Sequence, residues 1–150
     1  MFRKKVKICK YCGEINSKKA SFCACCRRDL DHDIFKIKRS VHDKEQLKRY
    51  KRVFYYLVPV DGKRRIEVKE NLFIERNSND ELFDNVYLSN KHALLFTKDD
   101  KLFIRDLGST NGTFINDVRI PIASDRVVLH EDLITFANVK FKIEAKIEVR

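Results

Sequence analysis

Two sets of residues in this 150-residue chain have types and spacings that can do chemistry. The first is Ser89-Asn90-Lys91-His92, then Asp106-Leu107-Gly108-Ser109-Thr110-Asn111-Gly112-Thr113 and Asn116, with Arg76 upstream. Hydroxyl and amide groups on two polar stretches, each flanked by apolar runs, can converge with a cation on an anion or a peptide at the end of a β-sheet. The second set is Cys9-x-x-Cys12 and Cys23-x-x-Cys26, with ten residues between the pairs. Paired thiols at that double spacing put four soft ligands around one tetrahedral zinc ion. A segment so short cannot bury enough apolar surface to fold unaided, so the metal would supply its folding energy, on the order of 10 kcal/mol or more. A disulfide pair is the competing reading. Cys25 is the spare thiol, and its adjacency to Cys26 leaves open which of the two ligates.

Taken singly, the polar pieces are ordinary: Asn111-Gly112 is a common hairpin turn, and a lone arginine is usually a solvated charge. Their order is not. Arg76, Ser89-x-x-His92, Ser109-Thr110-Asn111-Gly112-Thr113 and Asn116 together resemble the signature of the forkhead-associated (FHA) domain, a module that binds phosphothreonine peptides, over roughly residues 53 to 149. The resemblance implies that Arg76 and the Ser89 hydroxyl bind the phosphate with Thr110 assisting, and that Asn111 and Asn90 hold the peptide backbone. It also implies structural parts for His92, which braces one loop against the other, and for Gly112, Thr113 and Asn116, which shape the loops. One position departs from the family pattern: Glu75 stands where glycine usually precedes the arginine. A carboxylate near a dianion would weaken binding unless strand alternation points it away. The cysteine region resembles the short zinc ribbons that begin many multidomain prokaryotic proteins, in Cys9-Lys10-Tyr11-Cys12-Gly13, Ser21-Phe22-Cys23 and Leu30, with Arg27 in place of the second glycine.

The elements that must position these residues are strands. Phe54-Tyr55-Tyr56-Leu57-Val58 is a dense β-type run closed by Pro59, and Asp61-Gly62 is a turn. Leu72-Phe73-Ile74 is another short run, and Lys98-Asp99-Asp100-Lys101 predicts a hairpin between 93–97 and 102–105. Val139, Phe141, Ile143, Ala145, Ile147 and Val149 alternate with Lys140, Lys142, Glu144, Lys146 and Glu148, which predicts a strand with one buried and one wet face. The expected fold is all-β: an FHA-type antiparallel β-sandwich over 53–150, preceded by a zinc-ribbon module over 1–30 and a solvated basic linker over 31–52. Ser40 is a candidate N-cap for a short helix in that linker. Because the strands and the near-neutral charge are confined to 53–150, that segment is expected to fold without the ribbon.

Charge separates the same regions. Residues 1–52 hold 17 Lys and Arg against 6 Asp and Glu, whereas 53–150 hold 15 against 16. Four thiolates and one zinc ion would lower the net charge of 1–52, 17 − 6 = +11, by only about 2, so the N-terminal third stays strongly basic. No stretch approaches the ~20 apolar residues of a membrane span, and the start lacks the apolar run of a signal peptide. The expected location is cytoplasmic, with no membrane partner. His32, His42, His92 and His130 have no partner arrangement for nucleophilic catalysis, and no glycine-rich phosphate loop is present, so no enzyme is expected. The resulting expectation is an adaptor in Ser/Thr kinase signalling that binds a threonine-phosphorylated protein in trans and carries one structural Zn2+. The alternative is a nucleic-acid-binding protein that uses the basic ribbon and linker.

Overall fold

The computed structural model describes residues 2–30, 33–62, 64–76 and 80–150. The chain divides into two compact units, Met1–Val53 with Lys146–Arg150, and Phe54–Ala145.

The first unit is built on β1 (Arg3–Ile8), β2 (Ile15–Ser17) and β3 (Phe35–Lys38), an antiparallel sheet in the order β2-β1-β3. Val6 and Ile8 of β1 and Ile37 of β3 enter a buried cluster with Val41, Leu47 and Ile147, flanked by Ile15, Phe35, Tyr50, Val53 and Val149. Within the expected solvated linker, residues 35–52 therefore pack into a core. Phe35 and Ile37 alternate with Lys36 and Lys38 at strand period, and this short signal lies hidden among many charges. The helix is a single turn, α1 (Lys44–Leu47), and its N-cap is Asp43 rather than Ser40. Asp43 Oδ1 accepts the Gln46 amide at 2.8 Å while Gln46 Oε1 accepts the His42 amide at 2.7 Å, a reciprocal arrangement close to a capping box. The turn exists to bury Leu47, which is fully inaccessible.

The second unit contains β4 (Lys51–Pro59), which begins in the first unit, then β5 (Ile66–Val68), β6 (Asn71–Ile74) and a 3-10 turn at Glu81–Phe83. They are followed by β7 (Ala93–Lys98), β8 (Lys101–Asp106), β9 (Thr113–Ile115), β10 (Val118–Arg119), β11 (Arg126–Val128), β12 (Leu133–Phe136) and β13 (Val139–Val149). They form a six-stranded sheet, β10-β9-β12-β13-β4-β5, and a four-stranded sheet, β11-β8-β7-β6. Leu57, Ile134, Phe136, Phe141 and Ile143 of the first sheet and Ile74, Leu95, Leu102 and Ile104 of the second are buried, so the core is built from inward faces of both. The Tyr55 hydroxyl donates to the Asp100 carbonyl at 2.6 Å, and burial together with the Asp100 charge pushes its pKa up to about 12. β13 alternates as expected, but its last four residues belong to the first unit. The boundaries drawn from composition did not anticipate that return.

Hairpin geometry follows turn chemistry. Asp99 and Asp100 both adopt positive φ, 53° and 62°, so the predicted β7–β8 hairpin closes with a two-residue turn of the twist-compatible kind. Register then decides where the polar stretches meet. Ile74 pairs with Ala93, and Ala93 with Asp106. The end of β6, the start of β7 and the end of β8 therefore lie in one row, and Arg76, Ser89–His92 and 106–112 emerge at the same end of the four-stranded sheet.

Candidate functional site

The loop after β8 is organised by a buried carboxylate. Asp106, 1% exposed, accepts hydrogen bonds through Oδ1 from the amides of Gly108 (2.8 Å) and Ser109 (2.9 Å). Through Oδ2 it accepts from the hydroxyls of Ser109 and of Thr113, the latter at 2.6 Å. Burial alone would raise its pKa, but the hydrogen bonds from Ser109, Thr113 and Gly108 outweigh that and hold it below the usual carboxylate range. Ser109 Oγ in turn accepts the Gly112 amide at 3.1 Å. Gly112 sits at φ +90°, where the backbone favours glycine, and a Cβ there would also push against the Arg119 side chain, 2.9 Å away at Nε.

His92 joins this loop to the one before β7. It is fully buried; Nδ1 accepts the Ser89 amide at 3.1 Å, which leaves the proton on Nε2, bonded to the Gly112 carbonyl at 2.8 Å. Burial pushes its pKa down, against smaller opposing effects of the Gly112 carbonyl and Asp106. The ring meets Phe136 edge-on at 6.0 Å. Asn116 lies at the far end of β9, where its side chain bonds Asp132 Oδ1 and the Leu133 amide, and it tightens the β9–β10 turn away from these loops.

With both loops fixed, their exposed groups converge. Ser89 Oγ accepts the Thr110 amide at 3.0 Å, so the serine hydroxyl keeps its proton for a further acceptor. Arg76 follows β6 in the same ladder, its amide donating to Ser89 O at 3.2 Å. Its Nη2 donates to Asn90 Oδ1 at 3.0 Å and its Nη1 to the Val86 carbonyl at 3.4 Å. Its Nε is buried and has no acceptor among the described residues. A buried guanidinium donor without a partner is costly unless an anion completes it. Asn111 Nδ2 donates to the Tyr87 carbonyl at 2.8 Å, leaving its carbonyl oxygen available. Glu75 lies just past the end of β6, between two backbone bonds, His92 N to Ile74 O and Arg76 N to Ser89 O.

Four residues of the site had no part assigned from the sequence. Asp106 was visible only as the first residue of a polar stretch, though an acidic residue two before a Gly-Ser pair is the signal of a side chain capping a turn. Arg119 approaches the loop through Nη2, 3.4 Å from Thr110 O, and no local pattern marks it. Tyr87 and Val86, 57% and 77% exposed, are large apolar side chains on the segment whose carbonyls hold Asn111 and Arg76.

Residues 64–137 match the FHA domain as a sequence family. The chain contains an FHA domain. Solved FHA domains share the fold. A structure described as phosphothreonine-dependent FHA domain interactions aligns at 19% identity with a TM-score of 0.52, over 61% of this chain and 95% of that one. An FHA domain from Arabidopsis thaliana aligns at 18% and 0.54, over 62% and 86%. Mycobacterium tuberculosis EmbR, in complex with a low-affinity phosphopeptide, aligns at 22% and 0.55 over 61% of this chain but only 24% of its own. Within the FHA domain the structure brings Arg76, Ser89, Asn90, His92, Thr110, Asn111, Gly112 and Thr113 into one loop cluster, and places Asn116 outside it.

In the first unit, Cys9, Cys12, Cys23 and Cys26 gather with all four sulfurs within 4.8 Å of one another, and Cys25 is exposed outside the group. The Cys9–Cys26 and Cys12–Cys23 sulfurs lie 3.6 and 3.5 Å apart, far beyond the ~2.05 Å of a disulfide and close to the separation that ~2.3 Å metal–sulfur bonds give in a tetrahedron. The two knuckles repeat one pattern: Gly13 N donates to Cys9 O and Arg27 N to Cys23 O, both at 2.9 Å. Burial raises the Cys9 and Cys12 thiols, while for Cys23 the amides of Cys26 and Cys25 and the Asn16 side chain outweigh burial and bring it down to about 6. The donor set fits one zinc ion. Of the histidines named from the sequence, His32 lies outside the described residues; His42 Nδ1 is 3.5 Å from Lys4 Nζ, and His130 Nδ1 accepts the Ala145 amide.

Proposed function

We propose that the protein is a phosphothreonine-dependent adaptor. The observation that carries this is the meeting of Ser89 Oγ with the Thr110 amide beside a guanidinium that Asn90 orients and whose Nε lacks an acceptor. A phosphothreonine brings about −1.5 to −2 charges and three acceptor oxygens, which match Arg76, the Ser89 hydroxyl and Thr110. Asn111 and Asn90 then hold the peptide backbone, while His92, Gly112 and Thr113 keep the loops in place. The site binds and positions; it does no chemistry on its ligand. The resemblance to phosphopeptide-binding FHA domains supports the same assignment.

The ligand comes from another chain. No threonine precedes Thr97 in this sequence. Thr113 and Thr135 are 0% and 6% exposed, Thr97 bonds the Lys69 carbonyl, and Thr110 belongs to the site. Such a protein reads the product of a Ser/Thr kinase, and its setting is the cytoplasm; no helix among the described residues is long and apolar enough to cross a membrane. One structural Zn2+ on Cys9, Cys12, Cys23 and Cys26 folds the accessory module.

Calorimetry with matched phosphothreonine, phosphoserine and unphosphorylated peptides tests the reading. The expected result is micromolar binding of the first, roughly −8 kcal/mol, at least ~30-fold weaker binding of the last because charge-assisted bonds are lost, and no binding by Arg76→Ala. Equal affinity for phosphorylated and plain peptide would sink it.

A further inference from the structure

The four-stranded sheet of the second unit is apolar on its outer face as well as its inner one. Ile74, Leu95, Leu102, Ile104 and Val128 turn into the core, so alternation sends Phe73 of β6, Leu94 and Phe96 of β7, Phe103 of β8 and Val127 of β11 outward. The register joins these five into one patch: Phe73 lies across from Leu94, Phe96 across from Phe103, and Phe103 across from Val127. The Phe96 and Phe103 rings stack at 5.4 Å. Leu94, Phe96 and Phe103 are half-buried, but Phe73 and Val127, on the two outer strands, are 53% and 47% exposed. A strand with one wet face alternates apolar and polar residues, as β13 does with Lys140, Lys142 and Glu144. Leu94-Leu95-Phe96 and Leu102-Phe103-Ile104 are unbroken apolar runs instead, the pattern of strands covered on both sides.

We infer that a second copy of this chain covers this face, sheet against sheet. Width selects a sheet. The patch reaches from β6 to β11, three inter-strand spacings or about 14 Å, which exceeds the ~10–12 Å of a single helix; an extended peptide adds to a sheet edge rather than a face. Another sheet of equal width matches it and packs in an aligned sandwich. Charge selects a copy of the same surface. Arg105, across from Leu94 and 5.6 Å from the Phe96 ring, donates from Nε and Nη2 to Asp125 at 2.6 and 3.0 Å, so the cation within the patch is cancelled. The hairpin end beyond it balances Lys98 and Lys101 against Asp99 and Asp100, and residues 53–150 hold 15 Lys and Arg against 16 Asp and Glu. Two such neutral faces do not repel, as a symmetric pair requires. Four strands of six residues present roughly 400 Å² in projection, below the ~800 Å² per partner of a stable complex. The pair is therefore weak and reversible. Pairing gives the adaptor two peptide sites, a consequence that rests on the phosphothreonine reading; the association itself does not.

Sedimentation equilibrium of the zinc-loaded full chain without peptide, over an ~100-fold range of protein concentration and at low and high salt, tests this. The expected result is a monomer–dimer equilibrium that tightens as salt rises, because the formal charge of +10 opposes pairing and is screened. Phe73→Glu combined with Val127→Glu should weaken association at least ~30-fold, since each introduced charge occurs twice in a symmetric pair. Two added carboxylates lower the net positive charge of the chain, so charge alone would make the variant pair more readily. Both positions are exposed, and zinc content and melting temperature at low concentration should match those of the wild type. In the unsubstituted protein, the ring resonances of Phe96 and Phe103 should shift with concentration while those of buried Phe136 and Phe141 do not. A wild-type chain that stays monomeric, including one that binds phosphatidylcholine vesicles or an amphipathic helix instead, association that weakens with salt, or a double variant that pairs like the wild type would each overturn the inference.

Discussion

The buried carboxylate of Asp106 and the hydroxyl of Thr113, seven residues apart in sequence, close the loop between β8 and β9 with a 2.6 Å hydrogen bond. The same carboxylate takes three more donors from Gly108 and Ser109, so one fully desolvated charge fixes the main chain that presents Thr110 and Asn111. Asp106→Asn keeps the shape but turns half of that acceptor into a donor facing two hydroxyls. It should cost about 3 kcal/mol of stability, read by denaturant unfolding, and should weaken phosphopeptide binding although Asp106 touches no ligand.

Arg76→Lys separates charge from geometry. A lysine keeps the cation but cannot hold Asn90 Oδ1 and the Val86 carbonyl while presenting a third donor. Phosphothreonine-peptide affinity should fall about tenfold, and Ser89→Ala, which removes both the free hydroxyl proton and the acceptor for Thr110, at least as far. Calorimetry that found Arg76→Lys unchanged would show that only net charge matters at this position.

His92 makes stability depend on pH. Its folded pKa lies below the ordinary 6.5 because burial disfavours the cation, so the unfolded chain binds the proton more readily. Its contribution is complete above about pH 6.5 and declines as pH falls below that value. Asp106, with a folded pKa below 3.8, contributes a second loss only at acid pH. Thermal unfolding between about pH 7.5 and pH 5.5 should therefore show a fall in melting temperature that is smaller in His92→Gln.

Gly13 and Arg27 occupy equivalent positions in the two cysteine knuckles, at φ +78° and +65°. A Cβ there costs roughly 1–2 kcal/mol relative to glycine. Arg27→Gly should stabilise the first unit by about 1 kcal/mol and slow zinc loss to a chelator. By elemental analysis, Cys25→Ser should keep one zinc per chain and Cys26→Ser should not, because only the Cys26 sulfur joins the cluster.

Ile147 tests where the first unit ends. It is 6% exposed in the cluster with Val6, Ile8 and Ile37, so Ile147→Ala should cost about 2–4 kcal/mol of that unit's stability. Hydrogen exchange would localise the loss to 2–53 rather than to the FHA domain.

What the sequence determined by itself was local: the period-2 alternation of β13, the Asp-Asp hairpin, the paired cysteines, and the order of Arg76, Ser89, His92 and Thr110. Side-chain alternation and thiol spacing follow from backbone geometry and coordination chemistry, which need no knowledge of the rest of the chain. Tertiary structure decided what depends on residues far apart. Asp106, at the end of β8, became the hub of the loop only because Thr113 from β9 of the other sheet closes on its buried carboxylate, Arg119 reached Thr110 through the β9–β10 turn, and residues 33–52 folded because Ile37, Val41 and Leu47 found Ile147 from the other end of the chain. Burial is a property of the assembled core, and a short apolar alternation among lysines becomes a strand only when a partner arrives to cover it.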